Sequence, residues 1–260
     1  MSVAADTFGT YGRYGHQTAG ARAARIFDHA ATWVMTIVLL LIGGLAGYSL
    51  YDSYQVVEGS DLTQYRPGGY GFGELLAMNP DVCAWLTVDN TGIDYPVVQG
   101  ADDFEYLDKD ATGASSASGS LFLDSACDRN FNEPYEVIMG HHMVAHKMFG
   151  DLDLFLDQSF FDANKTAKLY LPKETLELEV DAVLTDNAYD QVIFGTPAED
   201  GQVAEVVQKA ESSAVHYREG SLSSEDQIIS LSTCSSDATD ARTIVLCKVV
   251  ARYAQDNAGD

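Results

Sequence analysis

The pattern of apolar and polar positions divides the chain into one long apolar stretch followed by many short ones. From Ala30 to Tyr51 no residue is charged. Read as a helix, about 22 residues rise roughly 33 Å, enough to cross the hydrocarbon core of a bilayer. Trp33 lies near one end and Tyr48 and Tyr51 near the other, as interfacial aromatic rings do. Arg13, Arg22 and Arg25 precede the run, and Asp52, Glu58 and Asp61 follow it. This asymmetry predicts an N-terminus in the cytoplasm and an extracellular remainder. A cleaved signal peptide is the competing reading, because Gly44-Leu-Ala46 has the small-x-small form of a cleavage site. The length of the run and of the tail before it favours an uncleaved, single-pass anchor.

After the long stretch, residues 52–73 are polar and rich in glycine (Arg66-Pro-Gly-Gly-Tyr-Gly-Phe-Gly73) and read as a linker. Glu74 to Met78 suit a short helix, stopped by Asn79-Pro80. Short strand-like runs follow at 84–88, 93–98, 120–123, 135–139, 169–171, 175–184, 227–233 and 243–251. The sixth alternates Leu176, Leu178 and Val180 with Glu177, Glu179 and Asp181, the pattern of a half-buried strand. Eight short strands with few helices predict a closed β-barrel or a sandwich. One late helix is marked by Val203, Val206, Val207 and Ala210 at helical spacing. Thr196-Pro-Ala-Glu199 has capping-box form for its start, although Gly201 argues against that boundary. Residues 111–120 are a small-residue loop, and no internal repeat is present. The expected division is a tail at 1–29, an anchor at 30–51, a linker at 52–73, an outer domain at 74–253 and a C-terminal tail at 254–260.

Composition and charge narrow the partners. Hydrophobic residues make up 46% of the chain, enough for a substantial core. Of the 15 basic and 39 acidic residues, only three and two lie in residues 1–51, so the outer part is strongly acidic. Such a surface repels phosphate backbones and anionic lipid, which argues against a nucleic-acid partner. Solubility is the ordinary explanation of the acidity. Attraction of a cationic amine substrate is a sharper one that charge alone does not support. Cys83, Cys127, Cys234 and Cys247 are irregularly spaced and form no C-x-x-C, which argues against a zinc site or a dense disulfide framework.

Three groups of residues could carry chemistry. Cys234 follows the apolar run Ile228–Leu231, where a strand passes into a polar loop; a thiol there needs a base or cation to react as thiolate. Arg242 opens the next strand eight residues later, a spacing that lets two antiparallel strands bring both residues side by side. Its guanidinium could stabilise a thiolate or an acyl-transfer oxyanion, though packing and surface charge more often explain such a pair. Gly140-His-His-Met-Val-Ala-His146 follows another apolar strand and offers histidines for general acid–base work. His142 and His146 are four apart, as some metal ligands are, but no acid completes a ligand pattern there. They read as ordinary polar loop residues.

The order His in Gly-His-His-Met, Cys in Leu-Ser-Thr-Cys and Arg on the following strand resembles the triad of class B sortases. Asn79-Pro-Asp-Val-Cys-Ala-Trp85, Thr91-Gly-Ile-Asp-Tyr-Pro-Val-Val-Gln-Gly100, Tyr106-Leu107, Gly119-Ser-Leu-Phe-Leu-Asp124 and Met148-Phe-Gly-Asp-Leu152 fall in the same order as that family's motifs. The resemblance covers residues 74–252. It implies an eight-stranded sortase-type β-barrel with flanking helices, preceded by the transmembrane helix. It also implies a cysteine transpeptidase that uses no metal and no cofactor. Cys234 would be the nucleophile, His141 the acid–base and Arg242 the group that holds carbonyls and oxyanion. Ser232, Leu107, Asp103 and, within 189–194, Tyr189 and Ile193 would line the groove for a C-terminal sorting signal. The acceptor would be an amine of a peptidoglycan precursor or of a pilin. Asp103 stands where relatives often carry Asn, Met139 where Tyr precedes Gly-His, and Ala84 where Gly precedes Trp. Cys83, Cys127 and Cys247 receive no family role, and a disulfide between two of them stays open. A non-catalytic binding module on the same scaffold is the reading from another class. A papain-like hydrolase is disfavoured, because there Cys precedes His in the chain.

Overall fold

The computed structural model describes residues 19–58, 62–67, 71–143, 146–234 and 241–254, with Cys234 described by its backbone. The expected C-terminal tail beyond 254, residues 1–18 of the expected N-terminal tail, and parts of the linker lie outside the described residues. The chain divides into two compact units, Met1–Ser53 and Tyr54–Asp260.

The first unit is dominated by helix α1 (Ala19–Glu58). Its segment Arg25–Tyr51 has a mean hydropathy of 2.0 and is long and apolar enough to cross a membrane. Trp33, Leu39, Leu40, Leu41 and Leu50 are all exposed, so no packed core explains this run of apolar side chains. Thr32 and Thr36 donate their hydroxyls to the carbonyls of Asp28 and Thr32, which satisfies them within the helix itself. The segment from Asp52, expected as linker, stays helical to Glu58, since no glycine or proline interrupts it before Gly59.

The second unit is built on eight strands: β1 (Val82–Val88), β2 (Asp94–Val98), β3 (Leu121–Leu123), β4 (Tyr135–Gly140), β7 (Thr166–Tyr170), β8 (Glu174–Asn187), β10 (Ile228–Cys234) and β11 (Ala241–Ala254). They lie in the order β11-β10-β4-β3-β2-β1-β7-β8, and β8 pairs with β11 to close the barrel. The β2–β3 and β4–β10 pairs are parallel and the others antiparallel. These are the eight strands expected from periodicity, each within a few residues. Strands β5 (His142–Met143) and β6 (Lys147–Met148) form a separate hairpin, and β9 (His216–Tyr217) adds to β8 outside the barrel.

Alternation explains the core. Leu86, Val97, Leu121, Ile138, Leu169, Leu176, Leu178, Val180, Leu231 and Val245 fill the interior. Each such side chain contributes about 1.5–3 kcal/mol relative to exposure to water. Outward-facing Val137, Ala182, Leu184, Ile244 and Leu246 are covered by α4 (Gln191–Phe194) and α5 (Gln202–Ser213) through Ile193, Val203, Val206, Val207 and Ala210. The opposite wall is covered by α2 (Gly71–Met78), where Phe72 meets Trp85 edge-on at 6.3 Å. The Trp85 indole donates to Asp94 at 2.7 Å, and Asp94 pairs with Arg66 at 3.2 Å, which ties residues 62–67 to β2. A short helix α3 (Gln158–Ala163) follows a 3₁₀ helix at Gly150–Leu156.

Two sequence expectations need correction. Helix α5 does not start at Thr196-Pro197; its N-cap is Gly201, whose φ of 90° is a left-handed conformation that suits glycine. Gly201 makes no side-chain capping contact; Gln202, the first residue of the helix, accepts from the Glu199 amide at 3.1 Å. Asp181 does not face solvent with Glu177 and Glu179. It is fully buried where Arg218, after β9, crosses it, donating its amide to the Asp181 carbonyl at 2.9 Å.

Two buried acids set a pH dependence. Burial raises the Asp181 pKa. Glu136 on β4 is fully buried, and one of its oxygens has no hydrogen-bond partner among the described residues. Burial, reinforced by nearby Glu133 and Asp128, pushes its pKa up to about 8 despite the Glu133 amide that donates to it. The native state thus keeps a proton that the unfolded chain releases near its ordinary value of 4.5, and stability falls as pH rises between the two. The loss from about pH 5 to pH 8 is expected to be a few kcal/mol, or several degrees in Tm. Glu136→Gln should flatten this slope in thermal denaturation; equal slopes in variant and wild type would contradict the assignment.

Candidate active site

Strand β10 is the centre of the site. It pairs in parallel with β4, Thr233 opposite Gly140, and antiparallel with β11, Cys234 opposite Arg242. His141 directly follows Gly140. The backbones of His141, Cys234 and Arg242 therefore meet side by side at one rim of the barrel, about 5 Å from strand to strand. Beneath them Thr233 donates to the Gly140 carbonyl at 2.8 Å, which fixes the β4–β10 end.

His141 is half-buried, and its Nε2 lies 2.8 Å from the Leu107 carbonyl. A carbonyl only accepts, so Nε2 carries hydrogen, and in the neutral ring Nδ1 is the basic nitrogen. Leu107 thus contributes its backbone as well as a half-buried side chain. Gly119 makes this contact feasible. Its φ is +59°, and a Cβ there would lie 2.7 Å from the Leu107 carbonyl and 3.0 Å from the His141 ring. Sequence reasoning named Gly119 only as part of a motif; the positive φ and the close approach could not be read from residue type.

The other expected groove residues belong to separate segments. Asp103 accepts from the Ser125 amide at 2.8 Å, beside Asp124. Burial raises the Asp124 pKa, and the Asp103 charge adds to this. Tyr189 is 73% exposed. Ile193 is buried on the inner side of α4, and its carbonyl accepts from the Tyr135 hydroxyl. Ser232 is buried with a hydroxyl that has no partner among the described residues. The 187–194 segment is held by Asp190, which caps α4, and by Lys209 of α5, which pairs with Asp186 at 2.5 Å and Asp190 at 2.8 Å. Partial burial opposes the Lys209 charge, but the two acids win and raise its pKa.

His142 and His146 are not plain loop residues. His142 Nε2 lies 2.9 Å from Asp153, and His146 Nδ1 lies 2.6 Å from Asp151. Both acids belong to the Gly150–Leu156 helix. Among the described residues no three His, Cys, Asp or Glu side chains gather as a metal site. Cys83, Cys127 and Cys247 are free and buried, so the disulfide left open by the sequence is not formed among them. Burial pushes the Cys83 thiol up to about 12 and raises Cys127 and Cys247 as well, which leaves all three unreactive at neutral pH.

No protein-family model matches the chain. It is 31% identical over 184 residues to sortase B of Listeria monocytogenes, an alignment covering 69% of this chain and 74% of that protein. The chain belongs to the class B sortase family. The crystal structure of Clostridium perfringens sortase B superposes with a TM-score of 0.64 at 33% identity, over 69% of this chain and all of that one. A Streptococcus pyogenes class B sortase involved in pilus biogenesis superposes with a TM-score of 0.63 at 36% identity, over 70% of this chain and all of that one. Sortases are cysteine transpeptidases, and the eight-stranded barrel is the fold shared with these relatives.

Gly119→Ala tests the packing around His141. Gly113 also has a positive φ, +85°, but no atom lies within 4 Å of the place its Cβ would take. Gly113→Ala should cost about 1–2 kcal/mol of backbone strain alone, and Gly119→Ala about 1–3 kcal/mol more from overpacking. Denaturant unfolding measures both; equal losses would contradict the close approach.

Proposed function

We propose that this sortase cleaves a C-terminal sorting signal at a Thr–Gly-type bond and transfers the new carboxyl end to an amine of a peptidoglycan precursor. The observation that carries the reading is the β4–β10–β11 register, which brings His141, Cys234 and Arg242 together. The Cys234 thiolate attacks the threonine carbonyl carbon. Arg242 stabilises the oxyanion that forms, the largest electrostatic need of acyl transfer. As the C–N bond breaks, His141, protonated at Nδ1, gives that proton to the leaving amine. The threonine acyl group is left on Cys234 as a thioester. An incoming amine then attacks, His141 takes its proton, and the thiolate leaves.

The signal would run past Leu107 and Asp103 on one side and Tyr189 on the other, with Ser232 and Ile193 supporting the walls from beneath. Asp103, in place of the more frequent Asn, presents a charge where the front of the signal binds. We assign residues 1–29 to the cytoplasm, 30–51 to a single membrane span, 52–73 to the connection, 74–253 to the extracellular catalytic domain and 254–260 to a tail. A second reading, polymerisation of pilins through a lysine amine, is favoured by the 36% identity to the pilus-associated relative.

The test uses the full chain in detergent with quenched fluorescent peptides of Asn-Pro-x-Thr and Leu-Pro-x-Thr type, with and without an added amine. Wild type should cleave, yield an amide product when amine is present, and show the acyl-enzyme mass shift on Cys234. Cys234→Ala should abolish all three. His141→Ala and Arg242→Ala should each lower kcat at least about 100-fold. Failure of the wild type to form an acyl-enzyme, even with the surface proteins of its own host, would leave the binding-module reading in its place.

A further inference from the structure

The acid that contacts His142 also reaches the other side of the site. Asp153 lies in the Gly150–Leu156 3₁₀ helix with its side chain 29% exposed. Its Oδ2 is 2.9 Å from His142 Nε2, and its Oδ1 accepts from the Thr243 hydroxyl at 2.7 Å. His142 is the residue after His141, and Thr243 the residue after Arg242. One carboxylate therefore bridges the two segments whose neighbours are the proposed acid–base and oxyanion groups.

The geometry suits a support. Successive side chains on a strand point to opposite faces, so Thr243 leaves β11 opposite Arg242. Asp153 thus grips β11 on the face away from Arg242. Thr243 is fully buried and is the cross-strand partner of Thr233, whose hydroxyl binds the Gly140 carbonyl. Thr233 ties β10 to β4, and Thr243, its neighbour across the ladder, ties β11 to the 3₁₀ helix. On the other side the His141 carbonyl accepts from the Phe149 amide at 3.0 Å. The far end of the β5–β6 hairpin is held by Asp151, which pairs with His146 and accepts from the Gly92 amide at 2.6 Å. Of these contacts, only the Asp153 carboxylate joins the His141 segment directly to β11.

We propose that Asp153 is a positioning residue for transpeptidation, setting the separation of His141 and Arg242 through His142 and Thr243. The proposal rests on the assignment of catalysis to His141, Cys234 and Arg242. It is a matter of placement rather than charge. An asparagine of the same shape can accept from Thr243 through its oxygen and donate to a neutral His142 ring through its nitrogen.

The experiment measures acyl-enzyme formation by the full chain in detergent, at saturating and subsaturating peptide, per titrated active site. Asp153→Ala should lower the maximal acylation rate about tenfold or more, with KM changed by no more than about twofold, since displacement of catalytic groups by a fraction of an ångström acts on the chemical step. Asp153→Asn should restore most of the rate. Thr243→Val, which removes one of the two contacts at constant shape, should slow acylation similarly. Combined with Asp153→Ala it should add little, because both act through one bridge. A purely structural role would lower the melting temperature and the number of active sites while leaving the rate per site unchanged. A wild-type rate per site in Asp153→Ala, an asparagine variant as slow as the alanine one, or multiplying effects in the double variant would each overturn the proposal while leaving the catalytic assignment intact. Absence of any acyl-enzyme in the wild type would overturn both. Should Asp153→Ala fail to fold, Thr243→Val and Asp153→Asn decide the question in the same assay.

Discussion

Everything at the site depends on the pairing of one strand. Strand β10 lies between β4, which it joins in parallel, and β11, which it joins antiparallel. A shift of one residue in either ladder would turn the side chains of one partner to its other face, so a register anchored by buried alternation fixes the chemistry too. The anchors are Leu231 and Ile138 inside the barrel and Val137, Ile244 and Leu246 beneath the helices. Closure by the fourteen-residue strands β8 and β11 leaves β11 paired on both sides and holds that register against slippage.

Much of the fold was legible because a strand writes its burial into the chain with a period of two. The Leu176-Leu178-Val180 series marked β8, and the spacing of Val203, Val206, Val207 and Ala210 marked α5. Reading failed where burial comes from outside the element. Asp181 sits in the polar half of an alternating strand, yet a later crossing segment covers it. Residues 150–156 form a 3₁₀ helix held by hydrogen bonds that Asp151 and Asp153 accept, and such contacts carry no period. The residues of the proposed triad were picked out by their order and flanking motifs. The contacts around them were not: the Leu107 carbonyl on His141, the close approach at Gly119, and the Asp153 carboxylate on the neighbours of the proposed triad.

The three described cysteine side chains show how burial silences a thiol. Cys83, Cys127 and Cys247 lie in the barrel core, where burial keeps the thiol protonated. Cys234 ends β10 at the rim, beside the strand positions of His141 and Arg242. The second unit is also strongly acidic. Solubility remains its ordinary explanation, and charge alone assigns it no substrate.

The most direct test of the central claim is a crystal structure of the enzyme trapped with a sorting-signal peptide joined covalently to Cys234. The account predicts His141 Nδ1 facing the cysteine and the Arg242 guanidinium within hydrogen-bond reach, about 3 Å, of the trapped carbonyl or its analogue oxygen. An adduct in which Arg242 points away from the carbonyl, or in which His141 has left the Leu107 carbonyl and lies remote from Cys234, would contradict it.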